Sequence, residues 1–230
     1  MSIAENLALV RSRIDQRARS VGRSAGEITL VAVAKTFPLA AVEEAARSGQ
    51  VHFGENRVQE AEDKIGECSR TDLIWHLVGH LQSNKAKRAA QLFHWIHSVD
   101  SVDLMHKLEN HAAASGREIS TLLQLDLAGE TSKSGMPESE LDDALAAAAG
   151  LTSVSVEGLM ILPPFFEDPG RVRPYFKRLR ELLEYARRKA PGLPLKHLSM
   201  GMTHDFEIAI EEGATMVRIG TAIFGTRGIY

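Results

Sequence analysis

The chain has a single cysteine, Cys68, so no internal disulfide can form and no second thiol is present for a redox pair or a thiolate metal site. Its neighbours, "IGECSRTD", are polar, and a reducing compartment fits that usage best. Long apolar runs are also missing: no stretch approaches the roughly 20 apolar residues of a membrane span. An excess of one charge is missing as well, since 27 basic and 30 acidic residues leave a net charge of −3. That balance gives no support to a nucleic-acid partner. The opening segment, "MSIAENLALVRSRIDQRARSVG", lacks the apolar core of a secretory signal, because acids and arginines are spread through it. The cytoplasm is the expected location.

What the chain does have is a soluble globular composition, 44% apolar and 25% charged, with no low-complexity linker over its 230 residues. Ile3, Leu7, Val10 and Ile14 mark one face of an amphipathic N-terminal helix. After it, short apolar or β-branched runs alternate with longer segments of helical period. The strand candidates are "ITLVAVA", "VHFG", "LIWHLVG", "HWIHSV", "ISTLLQLDL", "SVSVEGLMI", "LKHLSM" and "TMVRIG". Between them lie segments such as "PLAAVEEAARSG" and "PYFKRLRELLEYARRK", several opening on a polar cap or proline and ending at Gly or Ser. Eight strand–helix repeats predict an α/β fold, a single TIM-type (β/α)8 barrel domain over residues 1–230 with an extra N-terminal helix. A doubly wound open sheet is the alternative.

In such a barrel the chemistry sits where the strands end. The first apolar run ends in Lys35, the second runs into "GENR", the third into "GHLQSNK", the seventh into "LSMGMTHD" and the eighth into "RIGTAIFG". Barrel phosphate sites commonly use the last two of these loops. Here they offer the Ser199 hydroxyl, a close-approach glycine at Gly201, and the backbone amides of Gly220 and Thr221. A lysine facing a pocket at a strand end can act as a free amine that attacks a carbonyl and forms a Schiff base. An aldehyde that carries a phosphate, such as pyridoxal 5′-phosphate, would satisfy both ends.

The segments "VAVAKTFP", "FGENRVQE", "WHLVGHLQSNK", "KSGM", "VEGLMILPP" and "LSMGMTHDFEIAIEEGATMVRIGTAIFG" together resemble, along nearly the whole chain, the pyridoxal phosphate homeostasis family, also called the proline synthetase co-transcribed homologue family. The resemblance implies a barrel similar to the N-terminal domain of alanine racemase, with pyridoxal phosphate on Lys35. It also implies phosphate contacts from Ser199, Gly220 and Thr221, and Arg218 near the pyridine nitrogen. Asn56, His80 and Asn84 fall on matching motifs near the cofactor mouth. Met160, Met200 and Met202, at strand ends, could pack the cofactor ring or fill the core. Thr203 stands where serine is expected, Asp126 where asparagine is frequent, and the tail "FGTRGIY" is a residue longer than usual.

Enzymes that build carbanions on this cofactor usually place a carboxylate against the ring nitrogen, and a permanently charged arginine there makes a weak electron sink. Racemisation tolerates a weaker sink, but it needs acid/base groups on both faces of the α-carbon. The three tyrosines, Tyr175, Tyr185 and Tyr230, offer no obvious base, two being on a surface helix and one at the C-terminus. The expected function is therefore cofactor storage, buffering or delivery in intracellular homeostasis without dedicated catalysis. A racemase or lyase using Lys35 as base is the competing reading. The expected partners are the cofactor and apo forms of the enzymes that use it, with the chain a monomer. His76 and His80 lie on a strand about 13 Å apart, too far to share a metal ion. The basic cluster from Arg171 to Lys189 reads as the solvated face of a helix that buries Phe176, Leu179, Leu183 and Ala186.

Overall fold

All eight apolar runs become strands of one closed parallel barrel. The computed structural model describes residues 1–129 and 134–225. The strands are β1 (Thr29–Val33), β2 (His52–Glu55), β3 (Ile74–Leu77), β4 (Trp95–Val99), β5 (Ile119–Asp126), β6 (Met136–Pro137), β7 (Val154–Ile161), β8 (His197–Ser199) and β9 (Met216–Ile219). They are ordered β4-β3-β2-β1-β9-β8-β7-β5, and the parallel pairing of β4 with β5 closes the ring. That closure excludes the open-sheet alternative. The unexpected element is β6, two residues that add to β5 through Leu125 and Met136. So short a strand leaves no periodic signal in a sequence.

The helices are α1 (Ile3–Ser20), α2 (Leu39–Arg47), α3 (Val58–Glu67), α4 (Ala86–Leu92), α5 (Val102–Ala114), α6 (Leu141–Ala148), α7 (Arg173–Lys189), α8 (Phe206–Glu211) and α9 (Thr221–Phe224). The alternation along β1 shows how the two faces divide. Leu30 and Ala32 join the large core between sheet and helices, whereas Val31 and Val33 pack with Val78 in a separate cluster. Parallel strands covered on both faces read as continuous apolar runs for this reason. Helix α1 begins at a reciprocal cap in which Glu5 N donates to Ser2 Oγ at 3.2 Å and Ser2 N to Glu5 Oε2 at 2.8 Å. It buries Leu7, Val10, Ile14 and Ala18 and packs beside α2, α8 and α9.

Helix α7 carries the basic cluster on its outer face, as its amphipathic pattern predicts, and burial also takes in Leu182. Several of these charges meet acids from other segments: Arg173 pairs with Glu211 and Glu212, Arg178 with Glu138, and Lys189 with Asp142.

Gly201 passes directly over α8. A Cβ there would lie 2.5 Å from Ala209 Cβ and 2.9 Å from Phe206 Cα, and its φ is +91°. Gly201→Ala is expected to cost about 2–3 kcal/mol from overpacking and backbone strain. A urea unfolding midpoint equal to that of the parent would contradict this packing role.

Candidate functional site

Lys35 sits two residues past the end of β1, half-buried at the barrel mouth. The segment that presents it is held from both sides. Ala34 N donates to Gly54 O at 2.9 Å, extending the strand ladder, and Ala34 O accepts from Lys64 Nζ at 2.9 Å. Lys64, on α3, also pairs with Glu55, which is fully buried at the end of β2. Burial pushes the Glu55 carboxyl above its usual range, and the Lys64 ammonium opposes that shift. Thr36, immediately after the lysine, adopts φ 66°, a left-handed conformation that a β-branched residue rarely takes. Such strain persists where surrounding contacts over-determine the backbone, and here it turns the chain sharply behind Lys35.

Lys35 lines a cavity of about 410 Å³. The ends of β2 and β3 contribute Asn56, Gly79 and His80, and the loop after β8 contributes Met202, Thr203 and His204. Arg218 from β9 and the Gly220–Thr221 backbone complete the polar lining, with Val33, Val78 and Leu162 as the apolar part. Gly79 lets two of these loops meet, since a Cβ there would fall 2.3 Å from Asn56 O. A larger, more polar hollow of about 620 Å³ adjoins the cavity, shares Asn56, Gly79 and His80 with it, and lacks Lys35. The chemistry places the site in the smaller one.

Arg218 is 3% exposed. Its Nη1 donates to Ser199 Oγ at 2.6 Å and its Nη2 to Ile161 O at 2.9 Å. Burial lowers its pKa to about 10, against the opposing pull of Asp205. His80 Nδ1 lies 3.2 Å from Asp100 Oδ2, and burial raises the pKa of that carboxyl. His204 Nε2 lies 3.2 Å from both Phe166 O and Glu167 O, and its ring rests against Phe165. The Thr203 hydroxyl accepts from Ala222 N at 3.4 Å, which ties the two phosphate-candidate loops together.

Of the residues expected from sequence, Lys35, Asn56, His80, Met202, Arg218, Gly220 and Thr221 come together in this cavity. The others lie elsewhere. Met160 packs inside the barrel with Leu122 and Met216, Met200 in the sheet–helix core, and Gly201 against α8. Asn84 is exposed on a short turn, Ser83–Lys85. Ser199 is fully buried, its hydroxyl engaged by Arg218 and His97. Sequence reasoning missed His204 and Leu162, and it noted Thr203 only as a departure. A hydroxyl two residues past Gly201, in the loop already singled out, was the available signal for Thr203. Asp126 caps the turn after β5 through Ala128 N at 3.0 Å and Gly129 N at 2.9 Å. Tyr230 and most of the tail lie outside the described residues.

The cavity's polar groups suit an anionic aldehyde: an amine, a guanidinium, two threonines, two imidazoles and a side-chain amide, with no carboxylate among the described lining residues. Comparison with known proteins agrees. Residues 9–228 match the family described as alanine racemase, N-terminal domain. The pyridoxal phosphate homeostasis protein of Escherichia coli K12 is 42% identical over 228 residues, covering 98% of this chain and 97% of that protein. Its namesake in Aquifex aeolicus is 40% identical over 227 residues, 99% of each. The solved structure of PipY from Synechococcus elongatus PCC7942, with PLP bound, superposes with a TM-score of 0.88 at 40% identity, covering 97% of this chain and 100% of that one. D-threonine aldolase from Filomicrobium marinum, at 17% identity and a TM-score of 0.76, shares the fold. By barrel, cavity and full-length relatives alike, the chain belongs to the alanine racemase N-terminal domain family, among its pyridoxal phosphate homeostasis proteins.

Proposed function

We infer that this protein binds pyridoxal 5′-phosphate and acts in its homeostasis, storing, buffering or delivering the cofactor. The observation that carries the reading is the meeting of Lys35, Arg218 and the Thr203 hydroxyl in one cavity, in a chain whose full-length relatives are named for this role. Lys35 would hold the aldehyde carbon covalently through Nζ. Thr203 and the Gly220–Thr221 backbone would take the phosphate, and Arg218 would face the ring nitrogen, with Asn56 and His80 at the rim. When bound, the cofactor supplies an electrophilic carbon and a ring able to draw off electrons.

This chain's residues blunt that second property. Arg218 can donate to the ring nitrogen but cannot accept its proton, and its charge disfavours a protonated ring. Neither a carboxylate nor a tyrosine is found among the described lining residues. Tyr185 lies away from the cavity, its hydroxyl donating to Asp142, and Tyr175 stacks on Phe166. These features support a carrier without dedicated catalysis. We propose that it works as a monomer in the cytoplasm and passes cofactor to apo-enzymes. Among the described residues no helix is long and apolar enough to cross a membrane.

The test is the visible spectrum of the protein with added pyridoxal phosphate, before and after borohydride, followed by peptide mass mapping. A yellow band that bleaches and leaves a pyridoxyl adduct on Lys35 is expected. A protein that stays colourless at stoichiometric cofactor would sink the reading. Loaded protein is also expected to leave L-alanine and L-serine unchanged in chirality and amount. Turnover abolished by Lys35→Ala at matched cofactor occupancy would instead establish the racemase or lyase reading.

A further inference from the structure

The barrel interior holds a line of hydrogen-bonded side chains that a cofactor cavity does not require. His52 Nδ1 lies 2.9 Å from His76 Nε2, His76 Nδ1 lies 2.9 Å from His97 Nε2, and His97 Nδ1 lies 2.8 Å from Ser199 Oγ. Ser199 Oγ in turn accepts from Arg218 Nη1 at 2.6 Å. The strand register explains the line. His76 is paired with Gly54, two residues beyond His52, and His97 lies two residues beyond Trp95, the partner of His76. Two residues along a strand is one step on the same face, about 6–7 Å, so the imidazoles climb diagonally towards the mouth. His76, His97 and Ser199 are fully buried, and His76 stacks on Trp95 with ring centroids 5.9 Å apart.

The chemistry of the two ends gives the line a direction. A guanidinium only donates, so Ser199 Oγ must accept from Arg218. The serine proton then has His97 Nδ1 as its partner. A neutral imidazole has one donor and one acceptor, so His97 must donate from Nε2 to His76 Nδ1, and His76 from Nε2 to His52 Nδ1. Every donor in the line is satisfied only in this sense. Burial holds both His76 and His97 well below the usual imidazole range, and for His97 the nearby Arg218 charge adds to the effect.

We propose that His52, His76, His97 and Ser199 form a one-way hydrogen-bond column that positions Arg218, fixing which of its N–H groups face the cofactor cavity. Donation of the serine proton into the column makes Ser199 Oγ a better acceptor for Arg218, because successive hydrogen bonds polarise one another. Ile161 O holds the other terminal nitrogen, so the guanidinium is clamped at two points and its remaining donors are left for the ring. The role at the ring rests on the cofactor reading above; the direction of the column does not.

The experiment therefore has two readouts. Ring-nitrogen spectra of 15N-histidine-labelled, cofactor-free full-length protein at pH 7 are expected to show His52, His76 and His97 all neutral with the proton on Nε2. A proton on Nδ1 of either His76 or His97 overturns the column. The second readout is the dissociation constant for pyridoxal phosphate. His97→Leu, which removes the acceptor, is expected to weaken binding about tenfold. His97→Asn, whose Oδ1 can still take the Ser199 proton, is expected to stay within about threefold of the parent. Equal affinities in both variants, whether parental or reduced, would reduce the histidines to packing. If His97→Leu fails to fold, Ser199→Ala replaces it with the same expected loss and the same outcome that overturns the role. A parent protein that takes up no cofactor yet shows the expected nitrogen spectra would instead locate the failure in the cofactor reading.

Discussion

Lys35→Ala is expected to leave a folded barrel that no longer retains pyridoxal phosphate through gel filtration, with affinity lower by about a hundredfold or more, equivalent to about 2.7 kcal/mol. The fold should survive because Lys35 is half-buried at the rim, two residues beyond the last paired residue of β1, and contributes nothing to the clusters that fill the barrel. The cofactor's other contacts, through the Thr203 hydroxyl, the Gly220–Thr221 backbone and Arg218, remain in place. Residual, rapidly reversible binding is therefore expected, with no band that borohydride can fix. Titration calorimetry and borohydride mass mapping on the same preparation separate the two properties. Undiminished retention in Lys35→Ala would show that another amine anchors the cofactor.

Arg218 supports the same reading from the energetic side. A guanidinium held at a pKa of about 10 inside the barrel implies that keeping it charged at neutral pH costs about 3 kcal/mol. Its two side-chain hydrogen bonds, to Ser199 and Ile161, recover about 1.5–3 kcal/mol each, enough to offset that cost. A charge kept inside the barrel at that cost, with donors left over beside the cavity, fits a role towards what the cavity holds.

Much of this was legible in the chain. A lysine ending the apolar run from Leu30 to Ala34 and the glycines of the last two loops marked the mouth, because strand ends in a barrel must face it. The alternation of faces within those ends was harder to read. Ser199 and Met200 are neighbours, yet one points into the barrel and the other into the sheet–helix core. A three-residue strand such as β8 carries too short a pattern to say which does which. The histidine column was equally hidden. "VHFG", "IWHL" and "WIHSV" each contain one histidine that reads as an isolated polar residue in an apolar run. Only the register between β2, β3 and β4 brings the three together. The Lys64–Glu55 pair depends in the same way on how α3 packs over β2, which no local spacing encodes.

Two imidazoles buried in the neutral state should make this barrel unusually sensitive to acid. Well above pH 6.5 His76 and His97 are neutral both folded and unfolded and add no pH dependence. Below it the unfolded chain binds protons at both, while burial keeps the folded forms from doing so. Stability is therefore lost as pH falls from the unfolded value towards the lower folded ones, at about 1.4 kcal/mol per histidine per pH unit. Glu55, Asp100 and Asp205, whose carboxyls burial pushes upward, act in the opposite sense, because they bind protons more readily folded than unfolded. Their offset belongs to the carboxylate range, so it grows as the pH approaches that range and is smallest near pH 6. Urea unfolding of the cofactor-free protein is expected to lose about 2–3 kcal/mol between pH 6 and pH 5. His52, His94 and His197, whose imidazoles burial also lowers, add in the same sense. His76→Gln, which cannot titrate, should lower stability at pH 7 yet remove part of that slope. A flat profile across the interval would mean that the buried imidazoles accept protons within the fold, which the one-way column forbids.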